Sequence, residues 1–337
     1  MRLGPRHRGF RGERVLVTGA TGFVGSAVAR ALAGQGAEVH ALVRRGADRA
    51  RAGDVPITWH EGDIGRPLQL SGLSRGMTCV VHAAGRLGEA GVREEVYQQV
   101  NVEGTRNVLA AAMEGSEGLR VVHISSPGVL GPVVGDPAGE DAPPAPSNAY
   151  ERSKAAAEEV AHEFIRRGLP VIIVRPEFIY GPGDRHVLAL FRAVRSGRFF
   201  YIDGGRHYCH PTFIDDAVNG ILSCLSRGRG GETYHITGPR PVTFRELIHT
   251  MAAAMGVRRP RLSVPRWFAL GAATGLEIGA WLGGLKVPLS TSAVRFFSED
   301  RRFSGRKAHE DLHYSPQHDI ASGIALTCQW YRARGWL

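Results

Sequence analysis

Seven short hydrophobic segments recur along the first two thirds of the chain, and most carry valine or isoleucine in unbroken runs. Runs that do not alternate with polar residues are typical of parallel strands buried on both faces of a sheet. The seven predicted strands are RVLVTG (14–19), EVHALV (38–43), ITWH (57–60), TCVVHA (78–83), RVVHIS (120–125), PVIIVRP (170–176) and ETYHIT (232–237).

Helical patterns separate these strands. Segments 22–33 and 97–113 place apolar residues at helical spacing, and 150–166 combine an alanine-rich face with paired charges. The alternation of strand and helix predicts an α/β fold with a Rossmann-type doubly wound parallel sheet. Later in the chain the alternation fades, and the predicted helical segments are 185–196, 243–255, 265–285 and 317–334.

This change of pattern predicts two units. Residues 1–176 form the larger, sheet-containing unit, and residues 213–237 return to it because they contain the seventh predicted strand. Residues 177–212 and 238–337 form a smaller, mainly helical C-terminal lobe.

A glycine-rich turn follows the first predicted strand. In TGATGFVG, Gly19, Gly22 and Gly25 have the spacing G-x-x-G-x-x-G. Glycine permits a tight turn and a close approach of backbone to pyrophosphate, and the following helix directs its free N–H groups and positive dipole end at that group. The position between a valine-rich strand and a helix predicts a dinucleotide site rather than a structural turn.

The end of the second predicted strand indicates which dinucleotide is bound. Sites for NAD commonly carry an acidic residue there for the ribose diol, whereas this chain has Arg44 and Arg45. A guanidinium pairs with a 2′-phosphate that a carboxylate would repel, so the sequence favours NADP, with NAD as the alternative. Asp63 ends the third predicted strand and is placed to accept a hydrogen bond from the adenine amino group.

Composition narrows the class of protein. The chain has 337 residues, a net charge of +10 and four scattered cysteines. The arginines do not form a recognisable nucleic-acid module, so we expect an anionic small ligand and no nucleic acid. The cysteines lack the spacing of a zinc site or a disulfide framework, so we expect no metal and a reducing compartment. The basic first residues do not predict a signal peptide, and we expect a cytoplasmic protein.

Seven motifs occur in a characteristic order. They are TGATGFVG (18–25), GDI (62–64), HAAG (82–85), NVEGT (101–105), ISSPGVLG (124–131), Tyr150-x-x-x-Lys154 and RPEFIYGPGD (175–184). Together they resemble the extended short-chain dehydrogenase/reductase family, which is the NAD-dependent epimerase/dehydratase superfamily. The resemblance implies a Rossmann domain, a nicotinamide cofactor, a small-molecule substrate and a Ser-Tyr-Lys active site.

The resemblance also implies roles for individual residues. Tyr150 matches the acid or base, and Lys154 matches the lysine that also holds the nicotinamide ribose. Ser126 matches the serine that hydrogen-bonds the reacting oxygen, with Ser125 as the rival that strand alternation turns the other way. Asn101 matches a position often linked to the lysine through water. The residues implied to bind the cofactor are Gly19, Thr21, Gly22, Phe23, Val24, Gly25, Arg44, Asp63, Ile64, Ala83, Ala84, Gly85, Tyr150, Lys154 and Pro176.

The spacing of Tyr150 and Lys154 has a physical consequence. Residues four apart on a helix share a face, so the phenol and the ammonium can point together into the site. A neighbouring ammonium favours the phenolate, so we expect it to lower the pKa of Tyr150 from about 10 toward working pH.

Two segments bear on the substrate. Relatives that act on nucleotide sugars usually carry an asparagine where this chain has Phe178, and an arginine just before the segment that reads here as YCHPTFIDD (208–216). Both departures disfavour a nucleotide sugar, unless Arg206 or Arg295 supplies the missing cation. The proline in RPEFIYGP is more similar to 3β-hydroxysteroid dehydrogenases and dihydroflavonol reductases, which oxidise or reduce a ring alcohol or ketone on a bulky apolar molecule.

The first hypothesis is therefore an NAD(P)-dependent dehydrogenase/reductase of that type. One alternative is a nucleotide-sugar epimerase or dehydratase with tightly bound NAD. The other is a non-catalytic NAD(P)-binding redox sensor, although such relatives typically lack the Tyr-Lys pair that this chain keeps. Glu177 and Phe178 are the predicted pocket residues, and Glu177 either contacts the substrate or turns outward.

The segment WFALGAATGLEIGAWLGGL (267–285) approaches the length of a membrane span. Glu277 and the many glycine and alanine residues lower its hydrophobicity. We expect a buried or cleft-lining helix, with a weak membrane-surface contact as the alternative.

Two further expectations concern structure. His82, His123 and His210 lie on or beside predicted strands, and we expect each to be a hydrogen-bonded structural residue rather than a base. Members of the family often dimerise through the helices that correspond to 101–113 and 150–166, which implies a homodimer.

Overall fold

The computed structural model describes residues 9–89, 91–115, 117–283 and 289–337, with side chains described up to residue 279 in the third range. Seven parallel strands form the central sheet in the order β7-β6-β5-β4-β1-β2-β3. They are β1 (Arg14–Thr18), β2 (Glu38–Val43), β3 (Ile57–Glu61), β4 (Cys79–His82), β5 (Arg120–Ile124), β6 (Val171–Pro176) and β7 (Thr233–Ile236). Each lies within one predicted strand or exceeds it by one residue, and the predicted fold class is confirmed.

Eleven α-helices are present in the described residues. They are α1 (Phe23–Gly34), α2 (Glu94–Tyr97), α3 (Gly104–Met113), α4 (Ala149–Arg166), α5 (His186–Arg195), α6 (Ile214–Arg227), α7 (Phe244–Met255), α8 (Arg266–Gly283), α9 (Thr291–Phe297), α10 (Arg306–Leu312) and α11 (Ile320–Ala333). A π-helical turn, Gln98–Glu103, joins α2 to α3. The helices α6, α9 and α10 lie outside the predicted helical segments, and α2 overlaps one only at Tyr97.

The sheet is covered on both faces, which explains the unbroken apolar runs. Val15 and Val17 of β1 are fully buried in one hydrophobic cluster, which also contains residues of α1 and α6. Leu16, between them, is buried in a second cluster with residues of α3 and α4. Successive residues of a strand point to opposite faces, so the three central positions of β1, Val15 to Val17, are all apolar.

The strand order reverses at β1, which pairs with β2 on one side and β4 on the other. In an open parallel sheet a crevice forms at this point, outside the carboxyl ends of the strands, and ligands bind there. The loops that begin at Gly19 and Ala83 leave the sheet at that crevice.

The remaining helices belong mainly to the later part of the chain, where three pairs of two-residue strands also occur. These pairs are Ile179–Tyr180 with Thr212–Phe213, Tyr208–Cys209 with Val242–Thr243, and Tyr201–Ile202 with Ser263–Val264. The domain boundaries given above stay a prediction.

Helix α8 differs from the expectation of a buried helix. Only Ala269 and Ala273 are buried on it, whereas Trp267 is 75% exposed and Ile278 is 57% exposed. The prediction of a buried helix is therefore wrong for residues 267–279, because Ala269, Ala273 and in part Leu270 pack against the protein, whereas Trp267, Phe268 and Ile278 are exposed. The side chains of 280–285 lie outside the described residues. No helix in the described ranges is long and apolar enough to cross a membrane.

Candidate active site

The glycine turn after β1 is packed too closely for any side chain. A Cβ atom on Gly25 would lie 2.2 Å from the Gly19 carbonyl oxygen, and one on Gly19 would lie 2.7 Å from the backbone of Ala83. Gly19 also has a φ of 74°, in the left-handed region that favours glycine. These contacts hold the turn directly before α1.

The first turn of α1 suits an anion. Its N-cap is Gly22, which provides no side-chain cap, and the first turn contains no acidic residue. The free N–H groups and the positive end of the helix dipole therefore stay available to a phosphate. Thr21 and Gly22 are accessible at the turn, while Phe23 and Val24 pack partly against the core. The cradle fits the pyrophosphate of a dinucleotide.

The edges of the crevice carry the other residues predicted to bind the cofactor. Arg44 follows β2 directly and is exposed, and among the described residues it forms no ion pair. Asp63 follows β3, and its Oδ1 accepts a hydrogen bond from the Gly65 N–H at 2.8 Å. Ile64 packs so tightly on α3 that a Cβ on Gly104 would lie 2.7 Å from its side chain.

The loop after β4 is fixed by the end of β1. The Ala83 N–H donates to the Thr18 carbonyl oxygen at 3.2 Å, and the Ala84 N–H donates to the Thr18 hydroxyl at 3.2 Å. A Cβ on Gly85 would lie 3.2 Å from the Asn101 carboxamide oxygen. Pro176 lies at the end of β6 and is buried.

Tyr150 and Lys154 lie one turn apart in the first half of α4. Asn148 caps this helix, since its side chain accepts a hydrogen bond from the Glu151 N–H at 3.0 Å. Lys154 is buried, and its Nζ donates to the Ile124 carbonyl oxygen, at the end of β5, at 2.6 Å. The helix is thereby fastened to the carboxyl end of the sheet.

Ser126 lies two residues beyond that carbonyl. Its side chain is close enough to the Tyr150 phenol to lower the phenol's pKa, and its Oγ accepts a hydrogen bond from the Gly128 N–H at 3.1 Å. The rival Ser125 has a buried hydroxyl with no hydrogen-bond partner among the described residues. The structure thus brings Ser126, Tyr150 and Lys154 together and places Ser125 differently.

Burial sets the protonation of the pair. It raises the pKa of Tyr150 to about 12, an effect that the neighbouring Ser126 side chain opposes and the carboxylates of Glu151 and Glu177 increase. The expected lowering of the Tyr150 pKa by Lys154 is therefore wrong for this structure, because desolvation of the phenolate outweighs it. Burial also lowers the pKa of Lys154 to about 8, although Glu158 opposes the shift. At neutral pH the phenol is protonated and the lysine is mostly charged.

Asn101 lies in the π-helical turn and ties three segments together. Its Oδ1 accepts from the Arg86 N–H at 2.7 Å, and its Nδ2 donates to the Ser153 hydroxyl at 2.9 Å. The Ser153 hydroxyl in turn donates to the Tyr150 carbonyl oxygen at 2.7 Å. Asn101 therefore contacts the helix that carries Tyr150, through a serine that the sequence analysis did not single out.

Sequence analysis also missed a buried ion pair beside the site. Arg301 lies 2.7 Å from Glu151, and both side chains are almost fully buried. The second oxygen of Glu151 accepts hydrogen bonds from the Ser147 N–H and hydroxyl, both at 2.8 Å. No local pattern identifies this pair, because its members lie far apart in the chain and meet only after folding.

Glu177 is buried, so the alternative that it turns outward is wrong. Burial raises the pKa of this carboxyl to about 8, which Arg301 opposes and Glu151 supports. Glu177 is therefore largely protonated at neutral pH. It is close enough to Tyr150 to raise the pKa of the phenol when charged.

Phe178 has an unusual backbone conformation for its size. Its φ is 32°, in a region that bulky residues rarely adopt. Its ring lies edge-on to Phe296 of α9, with centroids 5.4 Å apart, and Phe296 makes a similar contact with Phe244. An aromatic cluster therefore continues from the end of β6 to α7 and α9.

Two histidines lie beneath the site, on β4 and β5. His82 is hydrogen-bonded through both ring nitrogens, to Thr18 at 2.7 Å and to Thr105 at 3.0 Å. Neither ring nitrogen of His123 has a partner among the described residues, so the prediction of a hydrogen-bonded residue is wrong there. Burial lowers the pKa of His82 to about 3 and that of His123 well below its usual range.

Comparisons with known proteins identify the family of the chain. The model of the NAD-dependent epimerase/dehydratase family matches residues 15–237. A 4-hydroxy-2-methyl-3-oxo-4-farnesyl-3,4-dihydroquinoline-1-oxide ketoreductase from Stigmatella aurantiaca is 30% identical over 321 residues, which are 92% of this chain and 94% of the relative. Sterol demethylase protein B from Methylococcus capsulatus is 30% identical over 346 residues, covering 96% and 99% of the two chains.

A solved structure extends the comparison. DesIV, a dTDP-glucose 4,6-dehydratase from Streptomyces venezuelae solved with NAD and TYD bound, has a TM-score of 0.79 at 30% identity, covering 96% of this chain and 98% of its own. The resemblance predicted from the seven motifs is confirmed. The chain belongs to the NAD-dependent epimerase/dehydratase family and is an NAD(P)-dependent enzyme of the extended short-chain dehydrogenase/reductase type.

Proposed function

We propose that the enzyme transfers a hydride to or from a ring alcohol or ketone of a bulky, apolar substrate, as a 3β-hydroxysteroid dehydrogenase or a dihydroflavonol reductase does. One observation supports this most strongly. The Tyr150 phenol is close enough to Ser126 for that side chain to lower its pKa, and it lies one helical turn from Lys154; its ring also lies against the loop after β4, where a Cβ on Gly88 would be 3.3 Å away.

Each residue has a definite part in the proposal. In the direction of reduction, Tyr150 donates its phenolic proton to the carbonyl oxygen, and its raised pKa keeps that proton in place at neutral pH. Ser126 donates a hydrogen bond to the same oxygen and fixes its position. The ammonium of Lys154 stabilises the phenolate left behind. A bound nicotinamide dinucleotide supplies or accepts the hydride.

The cofactor proposed is NADP, with NAD as the alternative. The glycine turn and the first turn of α1 hold the pyrophosphate, and the exposed guanidinium of Arg44 pairs with the 2′-phosphate. Asp63, which follows β3, would accept a hydrogen bond from the adenine amino group.

The proposed substrate class follows from the pocket residues and from the relatives. Phe178 contributes an aromatic ring to the predicted pocket. The carboxyl of Glu177 beside it is largely protonated, and therefore uncharged, at neutral pH, which suits an apolar substrate. Both relatives described above are named for farnesylated or sterol chemistry. A nucleotide-sugar epimerase or dehydratase is the second candidate, which the similarity to DesIV supports. The cations suggested for it, Arg206 and Arg295, are both exposed; each donates to a backbone carbonyl oxygen, of Asp203 and of Ser147, and neither forms an ion pair with a described residue.

The test is an assay of purified protein with NADPH or NADH against a panel of sterol-like, isoprenoid and flavonoid ketones and nucleotide sugars. We expect steady oxidation of NADPH in step with consumption of an apolar ketone. Conversion of a nucleotide sugar without net change in cofactor would support the epimerase instead. Tight cofactor binding with no turnover of any panel member would support a redox sensor.

We also propose the organisation of the molecule. Residues 1–176 and 213–237 form the NAD(P)-binding unit, and residues 177–212 and 238–337 form the substrate lobe. The protein works in the cytoplasm as a homodimer that pairs through α3 and α4. Sedimentation velocity measures the oligomeric state directly.

A further inference from the structure

Helix α8 has an unpartnered apolar face. The side chains of Ala269 and Ala273 pack with Ile202 and with Val294 of α9, whereas the large apolar side chains around them point away from the protein. The exposed fractions of these side chains are 64% for Leu262, 75% for Trp267, 54% for Phe268, 41% for Leu276 and 57% for Ile278. We define these five residues as the α8 face.

The α8 face carries no free negative charge. Glu277 is the only charged residue between Trp267 and Gly279, and its carboxylate accepts hydrogen bonds from the Thr291 N–H at 2.9 Å and hydroxyl at 3.1 Å. The carboxylate is thereby drawn toward α9. Several large apolar side chains exposed on one helix and the segment before it are typical of an interaction site.

A basic segment leads directly into the α8 face. Arg258, Arg259 and Arg261 are exposed, and none of the three forms an ion pair with a described residue. From Leu247 to Leu276 the sequence contains four arginines and no aspartate or glutamate. Arg266, the fourth, is paired with Glu299 at 2.9 Å. The surface therefore joins apolar side chains, including a tryptophan, to uncompensated positive charge.

We infer that the α8 face and its three free arginines dock the enzyme on an anionic phospholipid bilayer. Apolar side chains insert among the acyl chains near the headgroups, and arginines bind the lipid phosphates. Tryptophan suits this boundary, because its ring is apolar and its N–H remains hydrated. A second copy of the chain fits less well, since a two-fold contact across this face brings the same arginines together from both copies.

The α8 face lies close to the predicted substrate pocket. Helix α8 packs on α9, and Phe296 of α9 contacts Phe178 beside Glu177. One helix therefore separates the docked surface from the predicted substrate pocket. A role of the docked surface in delivering substrate rests on the proposed apolar substrate, whereas docking to the bilayer does not. The proposed substrate and the proposed docking can therefore be disproved separately.

The experiment is co-sedimentation of the full chain with phosphatidylcholine vesicles, with and without phosphatidylglycerol. We expect binding to the vesicles with phosphatidylglycerol and weaker binding to phosphatidylcholine alone or at high salt. The double variant Trp267→Ser/Phe268→Ser should lower the partition coefficient by about tenfold or more. The matched control Leu68→Ser, which removes a leucine exposed to 93% elsewhere, should leave it unchanged.

A second pair of variants tests the charges. Arg258→Glu/Arg261→Glu should abolish the preference for phosphatidylglycerol, and Arg75→Glu, at an exposed arginine elsewhere, should keep it. Failure of the wild-type chain to bind the anionic vesicles would overturn the inference. Vesicle binding that survives the Trp267/Phe268 double variant would also overturn it. So would a change from dimer to monomer in that variant without a change in vesicle binding, because the face would then serve self-association.

Discussion

Burial controls the charge of the residues around the reacting oxygen. Tyr150, Lys154 and Glu177 all have pKa values shifted toward the neutral form, and burial is the largest cause in each case. A site built this way keeps a proton on the phenol at neutral pH, which suits donation to a ketone. It also predicts a stability that depends on pH.

Glu177→Gln tests the protonation of the buried carboxyl. Because its pKa is about 8 when folded and near 4.5 in its usual range, the folded state holds a proton between these values that the unfolded state has lost. The wild type should therefore lose stability relative to Glu177→Gln by about 1.4 kcal/mol per pH unit from pH 6 up to the folded pKa. Urea unfolding at several pH values measures this difference. A parallel pH dependence in both proteins would contradict it, and Glu159→Gln on the exposed side of α4 is the control.

Arg44→Asp tests the choice of cofactor. Loss of the guanidinium removes the proposed partner of the 2′-phosphate, so the ratio of kcat/KM for NADPH over NADH should fall by about tenfold to a hundredfold. Arg75→Asp, which lies before the amino end of β4 and so away from the carboxyl ends of the strands, should leave the ratio unchanged. An unchanged ratio in Arg44→Asp would mean that this residue does not contact the 2′ position.

Among the elements, the junction of β1 and α1 depends on glycine most clearly. The turn brings the Gly19 carbonyl oxygen against the first turn of the helix, where only the missing side chain of Gly25 leaves room. The atom in the way is backbone, so it cannot rotate aside. The same packing places the helix N-terminus at the crevice where the sheet order reverses.

Gly25→Ala should therefore damage both stability and binding. Its Cβ would lie 2.2 Å from the Gly19 oxygen, so the turn must shift. We expect a loss of about 1–3 kcal/mol in the free energy of unfolding and at least a tenfold weaker cofactor Kd. Gly34→Ala, at the other end of α1, has nothing within 4 Å of the new Cβ and should stabilise by about 0.5 kcal/mol. Calorimetry and fluorescence titration with NADPH distinguish the two variants, and equal behaviour would contradict the account.

Local patterns predicted some elements and not others, for a physical reason. The seven strands and the glycine turn were predictable, since a doubly buried strand and a phosphate cradle each need particular residues close together in sequence. The Glu151–Arg301 pair and the outward orientation of Trp267 were not, because they depend on which distant segments come together. The pKa of Tyr150 was predicted in the wrong direction for the same reason: the spacing to Lys154 is local, whereas burial is a property of the folded chain.

On the scale of the whole molecule, buried histidines make the stability of the folded chain depend on pH. Burial lowers the pKa of His82 and His235 to about 3, that of His210 to about 4, and that of His123 well below its usual range. All four stay neutral in the folded chain, whereas the unfolded chain protonates them near pH 6.5. Their contribution to stability is complete above that pH and is lost as the pH falls toward the folded values.

The free energy of unfolding is therefore expected to fall steeply as the pH is lowered below 6.5. For each histidine that stays neutral, the free energy of unfolding should fall by about 1.4 kcal/mol per pH unit below pH 6.5. His123→Leu removes a ring with two unpartnered nitrogens and should make the free energy of unfolding fall less steeply with decreasing pH. His313→Gln, at an exposed position, should leave this pH dependence unchanged. Thermal unfolding between pH 7.5 and pH 5 provides the comparison, and equal slopes in the wild type and His123→Leu would contradict the prediction.

In the proposed reaction one phenol, that of Tyr150, moves the proton, with Ser126 and Lys154 beside it. Tyr150→Phe keeps the ring and removes only the hydroxyl, so cofactor binding should persist. With the ketone identified in the panel assay, we predict a fall in kcat by about a hundredfold or more and an unchanged Kd for NADPH. A Tyr150→Phe enzyme that turns over at the wild-type rate would contradict the account.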